Sequence, residues 1–146
     1  MSNKTSKELK KLAHKFVLYE YENNGYKYKL DKINDEDVRL CIDVGHAELP
    51  KIHSTTAPDM IRKCGKYLGC LHIQDNDKFH DSHTLPGLGL LDFDEIVKAL
   101  KEVNYQGDLT YEADGYVYYS NDDYTLRYKC LPEIYKNGIE LLSKFK

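Results

Sequence analysis

The chain has 146 residues, a length that predicts one domain with a core of moderate size. The net charge is −3, and the charged residues, 31% of the total, are of mixed sign, which argues against nucleic acid as a partner. No apolar run approaches the ~20 residues of a membrane span, and the polar N-terminus lacks the apolar stretch of a signal peptide, so we predict a cytoplasmic protein with no membrane partner.

The first 37 residues form the less regular part of the sequence. Apolar residues recur at helical spacing over residues 6–15, which predicts a helix. Residues 16–22 (FVLYEYE) are rich in β-branched and aromatic residues and are typical of a strand, which ends at Asn23-Asn24-Gly25. A short polar connection then leads to residue 38, where a second and more regular part of the chain begins.

From residue 38 to residue 146 the sequence alternates between strand and helix patterns. Three apolar runs predict strands, at residues 39–44, 70–74 and 108–113. Helical periodicity predicts helices at residues 58–68, 92–103 and 131–145. Gly69 is expected to end the first of these helices and Asp92 to cap the second. With the strand at 16–22, this order predicts an α/β fold of about four parallel strands with flanking helices.

Three further predictions concern the last of these helices, the cysteines and the tyrosines. The helix is expected to bury a stripe formed by Ile134, Tyr135, Ile139, Leu142 and Phe145. The cysteines have no CxxC spacing and are predicted to be reduced and mostly buried: Cys41, Cys64, Cys70 and Cys130. Four tyrosines are expected to cover a core edge or an interface: Tyr116, Tyr118, Tyr119 and Tyr124.

Side chains of the types that bind divalent cations lie at or soon after the predicted strands. They are Asp43, His46, His72, Asp81, His83 and Glu112. Strand ends that converge on one point are how an α/β barrel builds an active site. Carboxylates combined with imidazoles suit Mn²⁺, Mg²⁺, Co²⁺ or Zn²⁺. A charged group that ends an apolar strand is also costly to bury without a metal or an ionic partner, so we predict a divalent-metal site.

Local chemistry supports this grouping. Gly45 permits a turn that could bring Asp43 and His46 to the same side. Asp81 and His83 are two residues apart and can point the same way in an extended loop. The nearby Asp-Asn-Asp at residues 75–77 is interpreted as a solvated turn.

Four stretches resemble the C-terminal half of the xylose-isomerase-like barrel superfamily, which contains sugar isomerases and epimerases and metal-dependent apurinic endonucleases. They are LCIDVGHAEL, LGCLHIQDND, DSHTLPGLGLLDFDEIVKAL and NYQGDLTYEAD. They occur in the family's order and at its usual separations. The resemblance implies half of a (β/α)8 barrel over residues 38–146. A closed barrel needs about 250 residues, so it would be incomplete as a single chain.

The resemblance also implies roles for individual residues. The family's metal ligands correspond to Asp43, His46, His72, Asp81, His83 and Glu112. The family's further glutamate, at the end of strand five, corresponds to Glu22, with Glu20 as the alternative. Lys78 stands where sugar epimerases often have a substrate-contacting Arg. A Lys keeps the positive charge but lacks the planar guanidinium with which an Arg can donate two hydrogen bonds to one group.

The activity implied is metal-dependent isomerisation or epimerisation of a sugar or sugar phosphate. The metal would act as a Lewis acid that stabilises an enediolate. Glu112, with Glu22, would move the proton α to the carbonyl, and His46 would bind a substrate hydroxyl or a second metal.

Two alternatives remain open at this point. The Asp-x-His loop favours a multi-metal site, as an apurinic-endonuclease-like phosphodiester hydrolase would use, although the acidic net charge opposes DNA binding. The chain could instead be a catalytically silent half barrel that serves as a binding or assembly module. An open half barrel exposes unpaired strand edges, so we expect a homo-oligomer or pairing with a separate N-terminal half-barrel chain.

Overall fold

The computed structural model of the protein describes residues 39–50, 55–121 and 123–145. The predicted helix at 6–15 and the predicted strand at 16–22 lie outside the described residues. Glu20 and Glu22 lie there too, so their predicted roles stay predictions.

A parallel sheet of three strands forms the centre of the described part. The strands are β1 (Leu40–Asp43), β2 (Leu68–Ile73) and β3 (Leu109–Tyr111), in the order β1-β2-β3. Both pairs of neighbours are parallel, with Asp43 opposite His72 and Ile73 opposite Tyr111. The predicted α/β class with parallel strands is confirmed.

Helices connect and follow these strands. They are α1 (Val44–Ala47), α2 (Ala57–Cys64), α3 (Phe93–Glu102), α4 (Asp114–Tyr119) and α5 (Leu131–Ser143). Asp92 accepts a hydrogen bond from the backbone of Glu95 and thereby caps α3 as predicted. Two 3-10 segments, Gly65–Tyr67 and Tyr124–Cys130, precede β2 and α5. None of the helices in the described ranges is long and apolar enough to cross a membrane.

The boundaries around β2 correct the sequence prediction. The helix expected at 58–68 ends at Cys64, because Gly65 takes a positive φ of 51° and closes the helix there. Gly69 lies inside β2 and does not end a helix. Its role is steric, since a Cβ at Gly69 would lie 2.4 Å from the Cβ of Arg39.

The core lies between one face of the sheet and helices α2 and α3. Ile42, Leu71 and Ile73 alternate along their strands with more exposed residues and pack against Ile61 and Ile96 of the helices. The apolar runs had predicted strands covered on both faces. Within the described residues the second face is less covered and carries the following side chains: Cys41, Asp43, Cys70 and His72.

Helix α5 also differs from its prediction. Tyr135 is 72% exposed, and Ile139 and Leu142 are about half exposed, so the expected buried stripe is wrong for these residues. Leu141 instead enters the core, and Phe145 packs against it from the next turn. The helix therefore presents an apolar surface to solvent as well as to the core.

Candidate metal centre

Three strand ends bring Asp43, His72 and Glu112 together. Asp43 is the last residue of β1 and lies opposite His72 of β2, while Glu112 follows β3 and donates its backbone N–H to Ile73. His72 Nδ1 lies 2.6 Å from Glu112 Oε2 and 3.9 Å from Asp43 Oδ2. One ligand atom of each of the three residues lies within 4.8 Å of the others. We call this group the strand-end triad.

The two carboxylate oxygens of Asp43 have different surroundings. Oδ1 accepts the backbone N–H of His46 at 2.8 Å, which caps α1, and the side-chain amide of Gln74 at 3.2 Å. Oδ2 is buried and has no hydrogen-bond partner. Burial raises the pKa of Asp43 above its usual value. A buried oxygen without a donor is costly, and a bound cation would remove that cost.

A second group, the loop triad, consists of His46, Asp81 and His83. His46 Nε2 lies 2.9 Å from Asp81 Oδ2, and His83 Nε2 lies 3.1 Å from Asp81 Oδ1. One ligand atom of each of the three lies within 4.8 Å of the others. His46 Nδ1 is 3.4 Å from Asp43 Oδ2, so the two triads adjoin. All six residues predicted as ligands therefore belong to one continuous cluster.

The hydrogen bonds of His83 define which of its ring nitrogens is protonated. Its Nδ1 lies 2.9 Å from the carbonyl oxygen of Glu112, which can only accept, so Nδ1 carries the proton. Burial alone would lower the pKa of His83, but Asp81, the Glu112 carbonyl and Asp114 outweigh it, and the pKa lies above its usual value. Nε2 lies 3.1 Å from Asp81 Oδ1, and this nitrogen must give up its proton before it can bind a metal, while Nδ1 keeps its hydrogen bond to the Glu112 carbonyl.

Gln74 was not predicted from the sequence, although it connects the two triads. This fully buried side chain donates to Asp43 Oδ1 at 3.2 Å and to Asp81 Oδ1 at 3.3 Å. A Cβ on Gly45 would lie 2.1 Å from the Gln74 side chain. Gly45 was expected to permit a turn through its backbone freedom, but it lies within α1 without a positive φ. Glycine is needed at position 45 because the Gln74 side chain approaches it closely, and this contact can be seen only in the folded structure.

The turn at residues 75–77 was interpreted as solvated, and this is wrong for Asp75 and Asn76, which are fully buried. The Asp75 carboxylate accepts four backbone N–H groups at 2.8 to 3.1 Å, from Asn76, Gly87, Gly89 and Leu91. Asp75 also forms an isolated antiparallel bridge with Thr84. These bonds fix both ends of the loop that carries the Asp81 and His83 side chains.

Lys78 lies in the same loop and forms an ion pair with Glu48. Its Nζ is 3.2 Å from Glu48 Oε2, and Glu48 Oε1 accepts the backbone N–H of Ala57 at the start of α2. Its predicted contact with substrate stays a prediction.

The donor atoms fit a divalent cation. Each triad combines imidazole nitrogens with carboxylate oxygens, a set that suits Mn²⁺, Co²⁺, Mg²⁺ or Zn²⁺. Oδ2 of Asp43 is buried and accepts no hydrogen bond, and it lies 3.4 Å from His46 Nδ1 and 3.9 Å from His72 Nδ1, so a cation bound among these atoms would stabilise it.

Comparisons with known proteins agree with the fold. A family model described as xylose isomerase-like TIM barrel matches residues 12–144. D-psicose 3-epimerase of Enterocloster bolteae is 36% identical over 78 residues, which are 53% of this chain and 23% of the relative. The uncharacterized protein y4fM of Sinorhizobium fredii is 34% identical over 94 residues, 63% of this chain and 29% of the relative.

A crystal structure of D-allulose 3-epimerase from Methylomonas sp. superposes with a TM-score of 0.50 at 22% identity, over 76% of this chain and 41% of that one. This likeness concerns the fold. The alignments with the two curated relatives span less than a third of each relative's length.

Proposed function

The chain belongs to the xylose isomerase-like TIM barrel family, and from this premise we propose that it acts in the divalent-metal-dependent isomerisation or epimerisation of a sugar or sugar phosphate. The similarity to a D-psicose 3-epimerase supports a ketohexose or its phosphate as the substrate class. The observation that carries the proposal is the strand-end triad, with the buried and unpartnered Oδ2 of Asp43 beside His72 and Glu112.

The proposed chemistry is proton transfer through an enediolate. A divalent cation, when bound by the strand-end triad, supplies Lewis-acid polarisation of a substrate carbonyl. Glu112 is the proposed base, because its side chain is 40% exposed and can reach a substrate C–H group. His72, 2.6 Å from Glu112, holds that carboxylate in position. For epimerisation the proton must return to the opposite face of the carbon, and Glu22 is the proposed second carboxylate.

His46 and Lys78 are the proposed substrate contacts. His46 is about one third exposed and lies between the carboxylates of Asp43 and Asp81, where its ring could donate to a sugar hydroxyl. Lys78 is 40% exposed and its ammonium could reach a phosphate if its pairing with Glu48 opens.

The remaining barrel wall is proposed to come from a second copy of the chain or a separate N-terminal half-barrel chain. In the described residues, β1 and β3 each have one neighbouring strand. The carboxyl-terminal ends of further strands would then surround the substrate.

Metal content and proton exchange test this proposal. The purified chain is dialysed against Mn²⁺ or Co²⁺, and bound metal is measured by elemental analysis. D-fructose and D-psicose, and their phosphates, are then incubated with it in D₂O, and NMR reports deuterium entry α to the carbonyl. We expect Asp43→Asn and His72→Ala to lose the metal, and Glu112→Gln to lose proton exchange.

His80→Ala is the matched control, because His80 is exposed and its ion pair with Asp77 lies outside both triads. The control should keep both metal and exchange. Equal metal loss in the control and in His72→Ala would overturn the metal centre. Metal binding without exchange on any of these sugars would instead indicate the catalytically silent binding module.

A second candidate function is phosphodiester hydrolysis at abasic DNA. The loop triad beside the strand-end triad favours it, because two adjacent cations can stabilise both the attacking and the leaving oxygen. Incubation of the Mn²⁺- or Zn²⁺-loaded chain with abasic duplex, over a series of salt concentrations, tests this candidate. Cleavage that falls with added salt and is lost in His83→Ala would favour it over sugar chemistry.

A further inference from the structure

Two cysteines lie directly below the strand-end triad on the same face of the sheet. Cys41 and Cys70 are opposite each other in the β1–β2 register, two residues before the Asp43–His72 pair. Cys41 is an exposed residue and Cys70 is half-buried. Neither thiol has a part in the proposed sugar chemistry.

The thiols and His72 together have the spacing of a metal site. One ligand atom each of Cys41, Cys70 and His72 lies within 4.8 Å of the other two. Around a tetrahedral ion, with Zn–S of ~2.3 Å and Zn–N of ~2.0 Å, such atoms would be about 3.5–3.8 Å apart. Side-chain shifts of about 1 Å therefore suffice, while the two strands hold the backbone in place.

We propose that Cys41, Cys70 and His72 form a second cation site, which prefers soft divalent ions such as Cd²⁺ to hard ones such as Mn²⁺. Two thiolates and one imidazole prefer soft and borderline ions, whereas the carboxylates of the strand-end triad prefer harder ones such as Mn²⁺. His72 belongs to both groups, so a soft ion at the thiols competes for the imidazole with an ion at Asp43 and Glu112. This site does not depend on the sugar activity.

Cd²⁺ titration of the reduced full chain tests the proposal. A phosphine reductant keeps the thiols free, and sulfur-to-metal charge-transfer absorption in the ultraviolet reports Cd²⁺ bound to thiolate. We expect one equivalent of Cd²⁺ to saturate the band. Cys41→Ser and Cys70→Ser should each weaken Cd²⁺ binding by about 10- to 100-fold or more, since even outer-shell partners cost that much.

Cys64→Ser is the matched control, because Cys64 packs on the other side of the sheet against the core. It should keep the band, and so should Asp43→Asn, which separates this site from the strand-end triad. A band that survives in Cys41→Ser and Cys70→Ser, or that disappears equally in Cys64→Ser, would overturn the proposal.

If a cysteine variant fails to fold, the site can still be tested on the unsubstituted chain. Alkylation followed by peptide mapping should show Cys41 and Cys70 protected by one equivalent of Cd²⁺ and Cys64 unchanged. Equal alkylation of Cys41 and Cys70 with and without Cd²⁺ would contradict the site.

Discussion

Asp43 has two roles that use different oxygens of one carboxylate. Oδ1 caps α1 and accepts from Gln74, while Oδ2 is buried with no hydrogen-bond partner. Asparagine caps helices about as well as aspartate, so Asp43→Asn should keep the cap. The substitution removes the negative charge that a cation would neutralise. The Asp43→Asn variant therefore measures the free-energy cost of the buried charge while the helix cap stays in place.

The first prediction is that the metal-free wild type loses stability relative to Asp43→Asn as pH rises from 3.8 to the folded-state pKa of Asp43. Burial raises the folded-state pKa of Asp43 above 3.8, so between 3.8 and the folded pKa the native state binds more protons than the unfolded state. Stability therefore falls through that window and stays low above it. Urea unfolding in a chelator at a series of pH values measures the difference. With saturating Mn²⁺ at neutral pH the wild type should become the more stable protein, and parallel pH profiles would contradict this account.

The second prediction concerns the contact between Gly45 and Gln74. In Gly45→Ala the added Cβ would lie 2.1 Å from the Gln74 side chain, which must leave Asp43 and Asp81. We expect Mn²⁺ affinity to fall by about 10- to 100-fold, as for loss of other partners that orient metal ligands. Calorimetric titration with Mn²⁺ measures this. Gly138→Ala is the control, because a Cβ there would meet only ordinary contacts at 3.8–3.9 Å; equal affinities in both variants would contradict the role of Gln74.

At the scale of elements, strands of apolar residues and long periodic helices were predictable, and short helices were not. The strands β1 to β3 and the helices α3 and α5 follow apolar runs and periodicity. Helices α1 and α4, of 4 and 6 residues, are shorter than the window that periodicity needs. The buried face of α5 was also mispredicted, because an apolar stripe indicates a packed face without showing what covers it.

The candidate site was predictable to a similar extent. Its six proposed ligands could be named because they end or follow apolar strands, and they do lie together. Their division into two triads, and the bridging role of Gln74, could not be predicted, because both depend on distances between loops. A buried Asp75 within a polar Asp-Asn-Asp run has no distinguishing sequence pattern, since its partners are backbone N–H groups up to 16 residues away.

The third prediction concerns the loop between β2 and α3. Asp75→Asn replaces one oxygen with an amide nitrogen, and each Asp75 oxygen accepts two buried or half-buried backbone N–H groups. Leaving such donors unpaired costs ~1–3 kcal/mol each, so we expect about 3 kcal/mol less stability in urea unfolding. Asp77→Asn in the same loop is the control. Asp77 is half exposed, so its variant should change stability much less than Asp75→Asn does. Similar losses in the two variants would contradict the special role of Asp75.

At the scale of the whole molecule, the described part exposes large apolar side chains and one face of its sheet. The sheet face with the two cysteines is partly exposed, and β3 has one neighbour among the described strands. Large apolar side chains are exposed along α4, the following 3-10 segment and α5: Tyr118, Tyr119, Tyr124, Tyr128, Leu131, Tyr135, Ile139 and Leu142. Several exposed large apolar side chains on consecutive elements are typical of an interaction surface. The sequence predicted that tyrosines here cover a core edge or an interface; Tyr118, Tyr119 and Tyr124 are exposed, and the interface stays a prediction.

The fourth prediction is that the chain self-associates through α5. The double variant Tyr135→Glu with Ile139→Glu places two charged side chains on α5, and both would have to be desolvated in an apolar interface. The mass measured by sedimentation should therefore fall toward that of a monomer. Far-ultraviolet circular dichroism should stay unchanged, because both side chains are substantially exposed in the single chain. Lys136→Gln on the same helix is the control, since Lys136 is 78% exposed and should leave the mass unchanged. A wild-type chain that sediments as a monomer would contradict self-association through α5.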